Sequence, residues 1–201
     1  MGSENITYVG NLVSSEQRWL RQKHIGGVLW LTGLPASGKS TLAFGLESKL
    51  FEAGFEIYAF GSRQIRQGLN KDLGYSREDR RENIRRAGEL AAIMASSGLI
   101  VITSFISPYA ADRTAARTAV KYNFHEIYLD ATLTQCEARD TRRRYFNARR
   151  HRINNFTGIS APYEVPNKPD LILQTGITSI TECLDNLVEY TEKNFRIPLS
   201  S

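Results

Sequence analysis

The residues whose types and spacing could do chemistry stand between positions 33 and 41, which read GLPASGKST. Gly33, Gly38, Lys39 and Ser40 fill the pattern G-x-x-x-x-G-K-[ST], in which a glycine-rich loop folds its N–H groups around phosphate oxygens. We therefore predict that this loop binds a nucleoside triphosphate. Lys39 would reach the β- and γ-phosphates, and the Ser40 hydroxyl would be a ligand of Mg²⁺.

The segments on either side of the loop fit this interpretation. Val28 to Leu31 is a short apolar run typical of a buried strand, and we predict that a helix begins at Thr41. Gly33 and Gly38 allow the tight backbone turn between the two elements. The start of the helix would add the positive end of its dipole to the phosphate site.

Apolar runs alternate with helical patterns along the rest of the chain. The segments predicted as strands are 28–31, 56–60, 99–103, 126–130 and 171–173. The segments predicted as helices are 14–21, 41–52, 77–97, 111–120, 134–152 and 179–194. This alternation predicts an α/β fold, a P-loop NTPase-type three-layer sandwich with a mostly parallel sheet. Residues 26–201 would form this one domain, and residues 1–25 an N-terminal extension.

Two further groups of residues follow the predicted strand ends, where ligands bind in such folds. One group contains Arg66, Asn70, Tyr75, Arg80 and Asn83, with Ile106 and Ser107 nearby. The other contains Tyr145, Arg149 and the segment 156–158. Arginines suit phosphate or sulfate, and aromatic rings can stack on a base, so we predict an anionic, aromatic pocket facing the triphosphate site. A solvated helix face or a core position is the alternative for each side chain.

Composition narrows the class of protein. The net charge is +5, but the basic residues cluster at 77–86 and 139–152, which a pocket for an anionic small molecule explains at least as well as nucleic acid. No apolar run approaches the roughly 20 residues that cross a bilayer, and the first residues lack a secretory pattern. Cys136 and Cys183 are predicted to be buried free thiols. We expect a cytoplasmic protein without nucleic-acid or membrane partners.

Four stretches of the sequence resemble those of the adenylylsulfate kinase family. They are WLTGLPASGKSTLA, IRQGLNKDLGYSREDRRENIRRAGELA, ITSFISPYAADRTAAR and NFTGISAPYEVPNKPD. The resemblance extends from Gly26 to about Val188. It implies a P-loop kinase that uses MgATP to phosphorylate the 3′-hydroxyl of adenosine 5′-phosphosulfate. A homodimer and an association with an ATP sulfurylase are further implications.

The resemblance also implies roles for individual residues. The ATP phosphates would lie on Gly33, Leu34, Pro35, Ala36, Ser37, Gly38, Lys39, Ser40 and Thr41. The phosphosulfate substrate would lie on Arg66, Asn70, Tyr75, Arg80, Asn83, Ile106, Ser107, Phe156 and Gly158, with its base between the two aromatic rings. Lys39 and Ser107 would be the catalytic residues. The family describes the serine matching Ser107 as a possible phosphoserine intermediate. We interpret Ser107 instead as a substrate contact, because MgATP can transfer directly.

Three positions depart from the family's pattern. The family reads Asp-Gly-Asp-Asn where this chain has Gly61-Ser62-Arg63-Gln64, so two carboxylates are replaced, one of them by a cation. The second of those carboxylates is the natural group to orient or deprotonate the attacking hydroxyl. In the lid after Asp140, a glycine and two lysines are replaced, and a lysine before the FTG motif is Asn154.

These departures leave three interpretations open at this point. The chain is a working or impaired adenylylsulfate kinase, a kinase of another anionic nucleotide-like molecule, or a non-catalytic module that binds nucleotides and regulates a partner. The intact phosphate loop argues against a complete loss of ATP use. The missing carboxylates argue against full activity.

Overall fold

The computed structural model of the protein describes residues 11–121 and 123–198. Within them, one sheet contains β1 (Gly27–Thr32), β2 (Ile57–Gly61), β3 (Ile100–Ser104), β4 (Phe124–Leu129) and β5 (Leu171–Leu173). The strand order is β2-β3-β1-β4-β5, and every neighbouring pair is parallel. The predicted α/β class is confirmed. All five predicted strands are present, although β4 begins and ends earlier than its apolar run suggested.

Helices cover both faces of this sheet. They are α1 (Ser15–Gln22), α2 (Lys39–Glu52), α3 (Ser62–Gln67), α4 (Arg77–Ser96), α5 (Ala110–Ala119), α6 (Leu133–Ala138), α7 (Arg144–Arg149) and α8 (Ile180–Phe195). Ser14, Ser76, Thr132 and Ser179 begin four of them by accepting a hydrogen bond from a first-turn N–H. Such caps satisfy donors that a helix start otherwise leaves unpaired.

The central strand β1 divides the core between the two faces. Leu29 and Leu31 pack with side chains of α2 and α8, whereas Val28 and Trp30 pack with α4 and α5. This alternation is the two-residue period of a strand that is buried on both sides. It confirms the three-layer arrangement. The phosphate loop follows directly at the end of β1.

One prediction about helices was wrong, and one short helix was not predicted. Residues 134–152 do not form one helix, because the chain turns between α6 and α7 and the Asp140 carboxylate accepts the Tyr145 N–H at 2.8 Å. A side chain that bonds its own backbone in this way competes with a continuous helix. The segment after β2 also forms a short helix, α3, which we did not predict. Its start is secured by the Gln64 side chain, which accepts the Gly61 N–H at 2.7 Å.

The two termini of the domain lie side by side. His24 and Arg196 form an antiparallel bridge, and the Ile25 N–H donates to the Phe195 carbonyl at 2.7 Å. The predicted boundary after residue 25 remains a prediction, and residues 1–10 and 199–201 lie outside the described residues. Cys136 and Cys183 are buried free thiols, as expected. No helix in residues 11–121 and 123–198 is long and apolar enough to cross a bilayer.

Two half-buried or buried histidines should make the protein less stable in mild acid. His24 Nε2 accepts the Glu56 N–H at 3.1 Å, and His125 lies between Tyr190 and Asn123. Burial lowers the pKa of both imidazoles. Because the unfolded chain then binds more protons below about pH 6.5, the free energy of unfolding should fall as the pH drops from 7 to 5.5.

Urea unfolding at several pH values measures this effect. His24→Asn and His125→Asn should each make the loss of stability with acid shallower. His151→Asn, at an exposed site, is the matched control and should leave the slope unchanged. Equal slopes in all three variants would contradict the assignment.

Candidate active site

The loop between β1 and α2 has the backbone shape that phosphate binding needs. Gly33, Ala36 and Gly38 have φ angles of 155°, 63° and 98°. A side chain on Gly33 would come within 2.8 Å of the Ser37 hydroxyl, so the loop closes tightly there. Gly38 begins α2 and offers no capping side chain, which leaves the first N–H groups of the helix for an anion. The described residues therefore fit the phosphates of ATP.

Lys39 lies inside this loop. Its ammonium donates to the Gly33 carbonyl at 2.8 Å, the Leu34 carbonyl at 2.6 Å and the Ser37 hydroxyl at 3.2 Å. Burial lowers the pKa of the Lys39 ammonium to about 7. A buried cation that is surrounded only by neutral acceptors is poorly stabilised, so an anionic ligand at this place would stabilise its charged form.

A second hydroxyl lies beside the predicted magnesium ligand. The Ser40 and Ser104 side-chain oxygens are 3.5 Å apart, at the ends of the loop and of β3. A side chain on Gly61 would place its Cβ only 2.3 Å from the Ser104 hydroxyl. Ser104 therefore occupies the space beside Gly61, where the resemblance expects a carboxylate. Within the described residues, no group of three or more His, Cys, Asp or Glu side chains could hold a metal ion.

This contact yields a prediction about stability. Gly61→Ala should destabilise the protein by about 1–3 kcal/mol, because the new methyl group overlaps the Ser104 hydroxyl. The effect should shrink when Ser104→Ala is added. Gly68→Ala is the control, because no atom of the described residues lies within 4 Å of the position of its Cβ. Thermal or urea unfolding of the four variants measures the coupling, and strictly additive effects would contradict the overlap.

The arginines predicted to bind the substrate lie around Tyr75. The Arg66 guanidinium lies over the Tyr75 ring at 4.5 Å and donates to the carbonyls of Leu73 and Gly74. Arg80 donates to the Tyr75 carbonyl at 3.1 Å and to the Thr157 hydroxyl at 2.9 Å. Arg80 thus joins the start of α4 to the distant lid segment. The buried Arg66 Nε has no hydrogen-bond partner among the residues that the structure describes.

The two asparagines of this group form a buried pair. Asn70 donates to the Asn83 side-chain oxygen at 3.1 Å, and both residues are almost completely buried. The Asn70 side-chain oxygen has no hydrogen-bond partner within residues 11–121 and 123–198. Asn70 therefore holds Asn83 in place, and any contact of Asn70 with a substrate would need this pair to open.

Ile106 and Ser107 form the turn that follows β3. Ser107 has a φ of 39°, which is unusual for a residue other than glycine. Its hydroxyl accepts the Trp30 indole N–H at 3.1 Å and donates to Thr32 at 3.0 Å. The Ser107 side chain is buried, so its hydroxyl points into the protein and not toward the solvent beside the phosphate loop.

The lid residues are tied to the phosphate loop by two contacts. The Tyr145 hydroxyl donates to the Pro35 carbonyl at 2.8 Å, and the Tyr145 ring meets Phe156 edge-on. A side chain on Gly158, whose φ is 90°, would lie 3.1 Å from Leu34. Phe156 is buried in this cluster, whereas Tyr75 is exposed, so stacking of a base between the two rings remains a prediction.

The basic residues at the departing positions have different surroundings. Arg63 is exposed in the first turn of α3. Arg143 lies over the Phe146 ring at 4.3 Å, and Arg144 pairs with Asp140 at 3.4 Å. Arg149, which we predicted to face the pocket, pairs with Glu137 at 2.8 Å on the surface. Of these cations, Arg63 is the one located at the carboxyl edge of the sheet beside the predicted site.

The sequence did not identify the residues that support the Ile106–Ser107 turn from inside the protein. The Thr32 hydroxyl donates to the Ile106 carbonyl, and Arg113 donates to the Ser107 carbonyl. Tyr163 is hydrogen-bonded to Thr32. Arg113 and Tyr163 occur within stretches that we quoted for the resemblance, but no local spacing marks them. Thr32 stands directly before Gly33, where the buried end of a strand meets the loop.

The fold and the loop together define a protein of the P-loop NTPase type. A family model described as adenylylsulphate kinase matches residues 25–174. The chain is 43% identical over 192 residues to the adenylyl-sulfate kinase of Clostridium acetobutylicum, covering 96% of each protein. It is 46% identical to that of Oceanobacillus iheyensis, covering 94% of this chain and 95% of that protein. The chain therefore belongs to the adenylylsulfate kinase family.

A solved structure gives the same result. The Mycobacterium tuberculosis APS kinase in complex with AMPPNP and APS superimposes with a TM-score of 0.80 at 40% identity. The alignment covers 84% of this chain and 98% of that one. The predicted three-layer fold and family are thus confirmed, along with the kinase and transferase class.

Proposed function

We propose that this chain transfers the γ-phosphate of MgATP to the 3′-hydroxyl of adenosine 5′-phosphosulfate. The observation that carries the proposal is the arrangement of Lys39 in a complete phosphate loop with Arg66 and Arg80 gathered around Tyr75. Lys39 in its loop suits a triphosphate, and the arginines around Tyr75 suit a phosphosulfate joined to a base. The solved relative that contains AMPPNP and APS supports a pair of such sites here.

In this proposal Lys39 and the loop from Gly33 to Thr41 hold the ATP phosphates. The Ser40 hydroxyl is exposed at the start of α2 and would ligate Mg²⁺, with Ser104 beside it. Mg²⁺ would supply neutralisation of the phosphate charge that develops during transfer. The residues of this chain then have to position two anions against each other.

Arg66, Arg80, Asn83 and the Ile106–Ser107 turn would hold the second nucleotide. Arg66 Nε is buried and has no partner in the described part of the chain, so a ligand could take up this donor if the site rearranges, and Arg80 already links α4 to the lid at Thr157. No base is assigned for the attacking hydroxyl. Asp112 is buried in the first turn of α5, and burial raises the pKa of its carboxyl, but its place there is that of a helix-start charge. Positioning and charge stabilisation carry the proposed reaction.

Arg63 favours a second candidate, a kinase of another anionic nucleotide-like molecule. An exposed cation at the carboxyl edge of β2, where the resemblance expects a carboxylate, could contact an additional negative group on the substrate. A homodimer, an association with an ATP sulfurylase and a cytoplasmic location accompany the first proposal as expectations from the family.

A coupled assay of ADP formation tests the proposal. The wild-type chain should turn over MgATP with adenosine 5′-phosphosulfate, and Arg63→Asp measured beside it shows whether the missing carboxylate limits the rate. Turnover by the variant alone would mean that position 63 disables the kinase. If neither protein turns over while MgATP still raises the melting temperature, the proposed substrate is wrong.

A further inference from the structure

A network of buried hydroxyl groups lies beneath the Ile106–Ser107 turn. The Thr32 hydroxyl is 2.8 Å from the Ile106 carbonyl, 3.0 Å from the Ser107 hydroxyl and 3.0 Å from the Tyr163 hydroxyl. The Trp30 indole N–H reaches Ser107 at 3.1 Å. Thr32 is therefore the common partner of the turn and of the segment after the lid.

The donors in this network can be assigned from the acceptors. A carbonyl only accepts, so the single hydroxyl proton of Thr32 goes to Ile106. The Ser107 and Tyr163 hydroxyls must then both donate to the Thr32 oxygen. Ser107 directs its proton inward and accepts from Trp30 on its other side. Neither Trp30 nor Thr32 is a base, so the Ser107 hydroxyl is arranged as an anchor of the turn.

Arg113 reinforces the same turn from the next helix. Its guanidinium donates to the Ser107 carbonyl at 2.8 Å and to the Glu164 carbonyl at 2.8 Å, and it pairs with Glu126 at 2.5 Å. Tyr163 and Glu164 are adjacent, so Thr32 and Arg113 fix one segment to Ser107 at two points. The left-handed backbone at Ser107, with its φ of 39°, needs such support because it is strained.

We propose that Thr32 and Tyr163 are positioning residues, which set the Ile106–Ser107 turn for the sulfonucleotide and couple it to the segment that ends the lid. The inference rests on the proposed function, which places the acceptor nucleotide on this turn. Tyr163 also lines an open pocket of about 760 Å³ together with Leu34 and Gly158, so its hydroxyl connects Thr32 to the wall of that pocket.

The variants should separate positioning from folding. Thr32→Val should raise the KM for adenosine 5′-phosphosulfate by about tenfold, and Tyr163→Phe by about threefold, because each removes part of the network. The KM for ATP should stay within twofold of its original value. Thr32→Ser keeps the hydroxyl and should restore most of the affinity. Tyr128→Phe, whose ring stacks on Tyr163 but whose hydroxyl contacts Asp130, is the matched control and should not change either KM.

Amide hydrogen exchange of residues 105–109 in the nucleotide-free protein gives a readout independent of turnover. Exchange should accelerate in Thr32→Val and not in Thr32→Ser or Tyr128→Phe. Unchanged exchange and an unchanged KM in Thr32→Val would overturn the inference, as would an equal rise of both KM values in all Thr32 variants. Absence of turnover in the wild-type chain would instead reject the proposed function, and the exchange data would still decide whether Thr32 holds the turn.

Discussion

Lys39→Ala is expected to lower MgATP-dependent turnover by about 10²–10³-fold or more, because it removes the cation that, in the proposed reaction, stabilises the transferred phosphoryl group. Lys39 is buried in the loop and has no neighbouring lysine to replace it at positions 33–41. MgATP should also lose most of its effect on the melting temperature of the variant.

The control for this variant lies on the same helix. Lys49→Ala removes an exposed ammonium that pairs with Asp185 at 2.6 Å, far along α2 from the loop. Its turnover and its response to MgATP should match those of the wild-type chain. Retained turnover in Lys39→Ala would reject the assignment of the phosphate loop.

Arg113→Met should destabilise the protein by about 3 kcal/mol, because it leaves the partly buried Glu126 carboxylate without its cation. The Arg113 side chain is 3% exposed and that of Glu126 is 13% exposed. The same substitution deprives the Ser107 and Glu164 carbonyls of their donors. Urea unfolding measures the loss.

Arg117→Met provides the comparison one turn further along α5. Arg117 pairs with Asp170 at 2.5 Å, but its side chain is 40% exposed, so its loss should change the unfolding free energy by less than about 1 kcal/mol. Similar losses in the two variants would show that burial of the Arg113 pair does not govern its contribution.

The sheet could be predicted from the sequence because each strand is a short apolar run between polar turns. The run 99–103, for example, is β3 displaced by one residue. Helix α3 could not, since its six residues are mostly polar and depend on the Gln64 contact with Gly61. The break between α6 and α7 likewise depends on one side-chain bond of Asp140, which helical periodicity does not reveal.

The candidate site likewise has one part that could be predicted from the sequence and another that could not. The phosphate loop is a local motif, so its residues could be identified from spacing alone. The contact of Arg80 with Thr157 and that of Thr32 with Tyr163 join residues 77 and 131 positions apart. Such contacts follow from the packing of the lid segment on the sheet edge. The close approach of Gly61 to Ser104 also joins different strands, and neither segment has a sequence pattern that indicates it.

This close approach affects how a carboxylate can be introduced at position 61. A Cβ at position 61 would lie 2.3 Å from the Ser104 hydroxyl and 3.1 Å from the Ser104 carbonyl oxygen, so Gly61→Asp requires Ser104 to shift. Adding Ser104→Ala removes the closer of these two contacts. Arg63 is exposed, so Arg63→Asp meets no such obstacle. Any gain of turnover from Gly61→Asp is therefore expected to be larger when Ser104→Ala is added.

The most direct test of the central claim is the identity of the product. ³¹P NMR of a reaction containing MgATP, adenosine 5′-phosphosulfate and the wild-type chain should show a new phosphate monoester on the 3′-oxygen. An analogue without the 3′-hydroxyl should yield no such signal. ADP formation without a 3′-phosphate, or no consumption of the sulfonucleotide while MgATP binds, would contradict the proposal that this chain is an adenylylsulfate kinase in activity as well as in family.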